Sequence, residues 1–480
     1  KLFRELLDKD AHDKEARLGL SYTLLKLRNF TDAYDHAARV IAADPLSSHA
    51  HALLGTVILS LGDFRLSVEE FRTALSLKAD EALAIAGLAM VDFYENRLAA
   101  CINGLRRASL LSPNEPDFIF GLAQAAARAE RYKEAADAYE RFLVIAPLTD
   151  TDRRARIRGL IDFLRYLGNQ SGLYNTAGEN QVSVPFDIPN NRPIIKVRIN
   201  GSKQPFRFVL DTGSGMSVIS EETARLLGVR AVARGGMARA VGGKFEIVYG
   251  FLQSLEVGDV RVENVPVYIR RFYNDETPVD GYIGLAVISK YLTTVDYGAN
   301  TFALTRQRPG NETASKPLAP LAPGVEFPIR TTQSGFLSSE VRIEGIEKHF
   351  NFIVDTGASI SVVAEKMMEL EAMSSYQRSA NMRVYGAAGV AEGVRTLTLP
   401  RVLLGAHARE KLDVAVLDLE AVNETTGFIQ DGIIGGNFLR HFRVTFDFKR
   451  GVVRLEPITS GAPKTDGDAR GRANVDTPQL

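Results

Sequence analysis

The sequence predicts an all-α array of repeats followed by two copies of one all-β domain, and three observations carry that expectation. Large apolar residues recur every 34 positions through the first 150 residues. From about Gln181 the apolar spacing shifts from the 3.6 of a helix to the 2 of a strand. The runs Phe206 to Ser214 and Phe350 to Ala358 are near copies, each an apolar strand that ends in Asp-Thr-Gly and continues to a Ser-Val pair.

Length and composition agree with several domains. A chain of 480 residues at roughly 150 per domain suggests about three. Its 45% apolar and 24% charged residues suit globular domains with cores of their own. Lys+Arg and Asp+Glu both number 58, so charge gives no reason to expect nucleic acid or an anionic membrane as partner. A lone Cys101 excludes an internal disulfide framework and a cysteine-rich metal site. The seven histidines show no His-Glu-x-x-His spacing and no apolar run reaches membrane-spanning length, so neither a metal, nor another cofactor, nor a membrane span in this segment is expected.

In the first region Phe30, Phe64, Leu98 and Tyr132 stand 34 apart, each followed three positions later by a small residue: Ala33, Ser67, Cys101, Ala135. Nine positions before them lie Ser21, Gly55, Ala89 and Ala123, and fifteen after them Pro45, Ala79, Pro113 and Pro147. Small residues let two antiparallel helices approach, and proline ends the second helix before the next begins. The pattern resembles the tetratricopeptide repeat (TPR), with four full units and a partial first one over residues 1–149. Residues 1 to about 9 read as the second helix of a truncated repeat, which suggests that the natural chain extends upstream. Thr149 or Thr151 is placed to cap a last helix through Ile157, Leu160 and Leu164, expected to close the stack within a segment 150–182.

The β-rich remainder divides into lobes at 183–308 and 324–457, joined by a proline-rich linker at 309–323. A tail at 458–480 has almost no large apolar residue and is expected to be disordered. The lobes superpose at an offset of 144: Val197 to Gly201 on Val341 to Gly345, Asp211 on Asp355, Ser217-Val218 on Ser361-Val362, and Gly242 on Gly386. Farther on, Asp280-Gly-Tyr-Ile-Gly284 pairs with Asp431-Gly-Ile-Ile-Gly435 at an offset of 151, and Asp296 with Asp447. These four later aspartates suit turns and strand ends and are read as structural.

On these residues each lobe resembles a retropepsin-like aspartyl protease domain, found as a homodimer in retroviral proteases and as a fused pair in pepsin-like enzymes. With the repeats, the chain is similar to bacterial proteins that join TPR repeats to such domains. The resemblance implies that the lobes form a pseudo-twofold pair with Asp211 and Asp355 facing each other around one water. Two carboxylates that close share a proton, so one can act as base and the other as acid. Thr212 and Thr356 would bond across the interface, and Gly213, Ser214, Gly357 and Ala358 would complete the supporting turns. Gly242-Gly243 and Tyr385-Gly386 are candidate flap tips over a bound peptide. One asymmetry stands out: lobe two has Ser359 where lobe one has Gly215, so a hydroxyl that could reach the carboxylate is missing from lobe one, unless Ser214 compensates.

The expected function is therefore an aspartic endopeptidase whose repeats recruit a protein substrate or partner. A catalytically inactive peptide-binding scaffold and a protease active only as a homodimer of lobes are the alternatives. Export to the periplasm is the expected location, with the cytoplasm as the alternative.

Overall fold

The computed structural model describes residues 1–148, 151–240, 243–273, 277–307, 326–458 and 472–474. The linker at 309–323 and most of the tail lie outside the described residues. Of that tail, Ile458 packs against the core of the β-rich region and Arg472–Asn474 is a short strand beside Gln377–Gly386, so not all of it lacks structure. The chain forms two compact units, Lys1–Asp150 with Gly427–Ile429, and Thr151–Thr426 with Gln430–Leu480.

The first unit is a stack of helical hairpins. Its first helices, Lys14–Lys26, Ser48–Leu61, Ala82–Tyr94 and Pro116–Arg128, begin 34 residues apart, as do their partners Phe30–Ala43, Phe64–Leu77, Leu98–Leu111 and Tyr132–Ile145. A further helix, Leu2–Lys9, precedes them. All eight small repeat positions are buried, and Ala33, Ser67, Cys101 and Ala135 are fully so. The hairpin turns share a residue with positive φ at Arg28, Gly62, Asn96 and Glu130, again 34 apart. Only one of the four is glycine, so residue type alone does not reveal this left-handed C-terminal cap. Phe428 is buried in this unit's aromatic cluster, with its ring centroid 5.0 Å from those of Phe64 and Tyr94.

The second unit opens with the helix Thr151–Gly168, which the sequence pattern assigns instead to the cap of the helical stack. Its aromatic residues explain the difference: Phe163 stacks on Tyr249 at 4.2 Å and Tyr166 meets Phe251 edge-on, both partners lying in the strand Gly243–Val257.

Each lobe of this unit is built around the same four-strand crossing. In lobe one, Phe206–Leu210 runs parallel to Gly281–Ile283, which is antiparallel to Ser217–Ser220, itself parallel to Val260–Arg270. Lobe two repeats the pattern with Phe350–Val354, Gly432–Ile434, Ser361–Ala364 and His407–Leu417. These central strands are buried on both faces, which is why they read as continuous apolar runs rather than as alternating ones.

A six-stranded sheet joins the lobes, with three strands from each. At its centre Tyr291–Asp296 pairs antiparallel with Phe442–Asp447. Thr294 faces Thr445, their hydroxyls 3.1 Å apart and their positions separated by 151. That separation is the offset at which the later parts of the lobes superpose, so equivalent residues meet and the pseudo-twofold axis passes between them.

Candidate active site

Asp211 and Asp355 follow the inner strands Phe206–Leu210 and Phe350–Val354 directly. Each backbone N–H is held by the neighbouring strand, Asp211 N donating to Ile283 O at 3.1 Å and Asp355 N to Ile434 O at 2.9 Å. The chain then turns sharply, and the carboxylate accepts from the glycine two residues on: Gly213 N to Asp211 Oδ1 at 2.9 Å, Gly357 N to Asp355 Oδ1 at 2.7 Å. Asp355 Oδ1 also accepts from Ala358 N at 3.2 Å. Both aspartates are buried, at 2% and 0% exposure.

The threonines lock the two turns together. Thr212 Oγ1 donates to Val354 O at 2.7 Å and accepts from Thr356 N at 3.0 Å; Thr356 Oγ1 donates to Leu210 O at 2.6 Å and accepts from Thr212 N at 3.2 Å. Four buried backbone groups, two per lobe, thus find partners only because the other lobe is there.

Glycine is required beside each aspartate because the opposite carboxylate occupies the space a side chain would take. A Cβ on Gly213 would lie 2.4 Å from Asp355 Cγ, and one on Gly357 would lie 2.8 Å from Asp211 Oδ1. The two carboxylates are therefore neighbours across the axis, each resting on the other lobe's turn. Nearby, burial and secondarily the charge of Asp355 push the Tyr297 phenol well above its ordinary range.

The Gly215/Ser359 asymmetry has a packing cause. Asn191 and Gly335 are equivalent at the 144 offset, both have positive φ, and each lies in a turn laid against the other lobe's Asp-Thr-Gly loop. The Asn191 amide donates to Ser359 O at 3.1 Å and its carbonyl accepts from Arg440 at 2.8 Å. Gly335 has no side chain, so its backbone comes closer, and a Cβ on Gly215 would lie 2.9 Å from Ser334 O. The Ser359 hydroxyl has no hydrogen-bond partner among the described residues, and Ser214 Oγ donates to Met216 O at 2.6 Å. The expectation that one of these hydroxyls serves a carboxylate is thus corrected: the difference between the lobes concerns backbone clearance. Asn191 and Gly335 escape the motif comparison, although extending the 144 offset upstream pairs them.

The candidate flaps are both hairpin ends. Gly243 closes one against Ala240, and Gly389 closes the other against Gly386, so the tips align at an offset of 146 rather than the 144 that pairs Gly242 with Gly386. Gly242 lies outside the described residues. Tyr385 shares its strand face with Arg383, which pairs with Glu392 at 2.8 Å, while Val384 on the opposite face is fully buried. The tyrosine is therefore aligned with the ion pair and the valine is turned to the interior.

Asp280 and Asp431 have equivalent places away from the paired carboxylates, accepting from Arg207 N at 2.7 Å and Asn351 N at 2.9 Å. Burial raises the Asp431 carboxyl to about 6. Asp296 and Asp447 accept from backbone N–H groups in the turns that follow their strands. Among the described residues no group of three His, Cys, Asp or Glu is placed to hold a metal ion, and no helix is long and apolar enough to cross a membrane.

An aspartyl protease family model matches residues 195–287 and 339–438, and tetratricopeptide repeat models match 1–56 and 86–148. The chain carries TPR repeats in its N-terminal part and, in two segments, a retropepsin-like aspartyl protease domain. No curated protein matches it. Solved structures similar to part of it include a thermophilic TPR protein in Thermus thermophilus, 22% identical, covering 33% of this chain and 87% of that one with a TM-score of 0.29. Pseudomonas aeruginosa pilF is 21% identical, with 32% and 68% covered and a TM-score of 0.27. YrrB, described as a TPR protein with an unusual peptide-binding site, is 15% identical, with 36% and 86% covered and a TM-score of 0.25.

Proposed function

We propose that the chain is an aspartic endopeptidase in which Asp211 and Asp355 act as one acid/base pair on a peptide bond. The observation that supports this most is the reciprocal seating of each carboxylate on the other lobe's glycine turn. Buried carboxylates that close cannot both ionise freely, so the pair holds one proton. The ionised carboxylate takes a proton from water as the water oxygen bonds to the peptide carbonyl carbon. The protonated partner gives its proton to the carbonyl oxygen, leaving a neutral tetrahedral diol. On collapse, one hydroxyl returns a proton to a carboxylate, the other carboxylate protonates the amide nitrogen, and the C–N bond breaks. A carboxyl and an amine leave, and the shared proton is restored.

Stacked helical repeats of this kind commonly present a concave surface that binds proteins, and we assign the repeats the recruitment of a protein substrate or partner. Single substitutions Asp211→Asn and Asp355→Asn test the pair, each expected to lower peptide cleavage by at least about a thousandfold. Full activity in either variant would rule out a shared site. If the unaltered protein binds peptides and never cleaves them, the scaffold reading holds instead.

A further inference from the structure

Arg270 ends the lobe-one strand Val260–Arg270 and is only 5% exposed. Its Nη1 donates to the carbonyl of Ala387 at 2.8 Å, a residue 117 positions away. Ala387 and Ala388 form the two-residue tip of the lobe-two hairpin, between Gly386 and Gly389, and both are buried, at 0% and 7% exposure. The tip therefore reaches the opposite lobe and is held there by a charged donor. Behind it, the guanidinium lies 5.0 Å from the ring centre of Phe272 and 5.6 Å from that of Tyr282, and those rings meet edge-on at 5.1 Å. Aromatic faces keep a buried arginine in place without competing for its N–H groups.

The duplication shows that this feature is not part of the common lobe. Arg270 pairs with Ser220 as Leu417 pairs with Ala364, so the equivalent residue of lobe two is an apolar leucine. Ile433 likewise stands where lobe one has Tyr282. Lobe one thus has a cation and a ring where lobe two has an apolar pair.

We infer that Arg270 is a positioning residue for the lobe-two hairpin, latching its tip against lobe one through the Ala387 carbonyl. A peptide entering between hairpin and carboxylates must lift the tip and break this bond, so Arg270 sets the balance between open and closed forms. The kinetic consequence rests on the proposed proteolysis; the latch itself does not.

Hydrogen exchange at the hairpin amides separates the two. In an Asp211→Asn background, where the proposed cleavage is suppressed, Arg270→Met keeps the contact with the rings and removes the donor. Exchange at residues 386–390 is expected to speed up about tenfold or more, with the strands Phe206–Leu210 and Phe350–Val354 unchanged. Arg270→Lys, which retains charge on a shorter reach, should fall between, and it carries the same comparison if the methionine variant does not fold. Unchanged exchange at the tip, or acceleration spread evenly through both lobes, would overturn the latch. With Asp211 restored, Arg270→Met should lower KM more than it changes kcat, because the entering peptide no longer has to break the bond to Ala387. If the unaltered protein proves not to cleave peptides, the exchange result still decides the latch.

Discussion

Replacing Gly213 by alanine places a methyl group of lobe one against the aspartate of lobe two. The added Cβ would lie 2.4 Å from Asp355 Cγ and Oδ2 and 2.7 Å from Oδ1. Relaxed contacts of carbon need about 3.5 Å, so the carboxyl or the whole turn must retreat by about 1 Å. A displacement of that size in a reacting group costs roughly a hundredfold in rate, and overpacking a tight joint costs about 1–3 kcal/mol of stability. The expected outcome is a drop of about a hundredfold in kcat/KM for a peptide substrate, measured alongside the melting temperature. Gly357→Ala should do less, because its Cβ meets Asp211 Oδ1 at 2.8 Å and Cγ at 2.9 Å. Gly201→Ala is the control: its φ of +72° makes alanine strained, about 1 kcal/mol, yet no atom lies within 4 Å and cleavage should be unaffected. Should Gly213→Ala cleave within about threefold of the unaltered protein, the carboxylates do not stand on each other's turns.

Thr212→Val or Thr356→Val leaves a buried carbonyl and a buried N–H without partners, at a cost of about 2–4 kcal/mol each by calorimetry; the double variant should lose less than the sum, and a single loss under about 0.5 kcal/mol would contradict the joint. Gly215→Ser should destabilise by about 1–3 kcal/mol through the Ser334 carbonyl, whereas Ser359→Gly, which removes a hydroxyl with no partner among the described residues, should stay within about 1 kcal/mol in denaturant melts. For Asp431, burial raises the folded carboxyl from its ordinary 3.8 to about 6, so the folded form binds the proton more tightly than the unfolded one. Its stabilising contribution is whole below about pH 4 and is lost as pH rises through about 6, a fall of about 3 kcal/mol. Asp431→Asn should flatten that part of the stability profile, and parallel profiles for the two proteins would refute it.

The helical array and the duplicated lobes are legible because their evidence runs along the chain. A 34-residue period in large and small residues places eight helices, and two copies of an apolar strand ending in Asp-Thr-Gly locate both turns. The helix Thr151–Gly168 is misplaced by the sequence because its apolar stripe shows that it packs without showing on what; Phe163 finds Tyr249 only after the strands have assembled. Tyr385 is read as a flap residue through its neighbour Gly386; that it lies on the strand face opposite the buried Val384 follows only from the strand pairing.

By itself the sequence determined the duplication, the two aspartates as equivalent points, and the glycines that follow them, since each is a matter of residue type at a fixed spacing. Tertiary structure alone decided why Gly215 breaks the symmetry, which residues press on each Asp-Thr-Gly turn, and that Arg270 holds Ala387. Those contacts join residues more than a hundred positions apart, and they depend on how two imperfect copies fit face to face. A repeat pattern records what the copies share; the fit between them is set by the residues in which they differ.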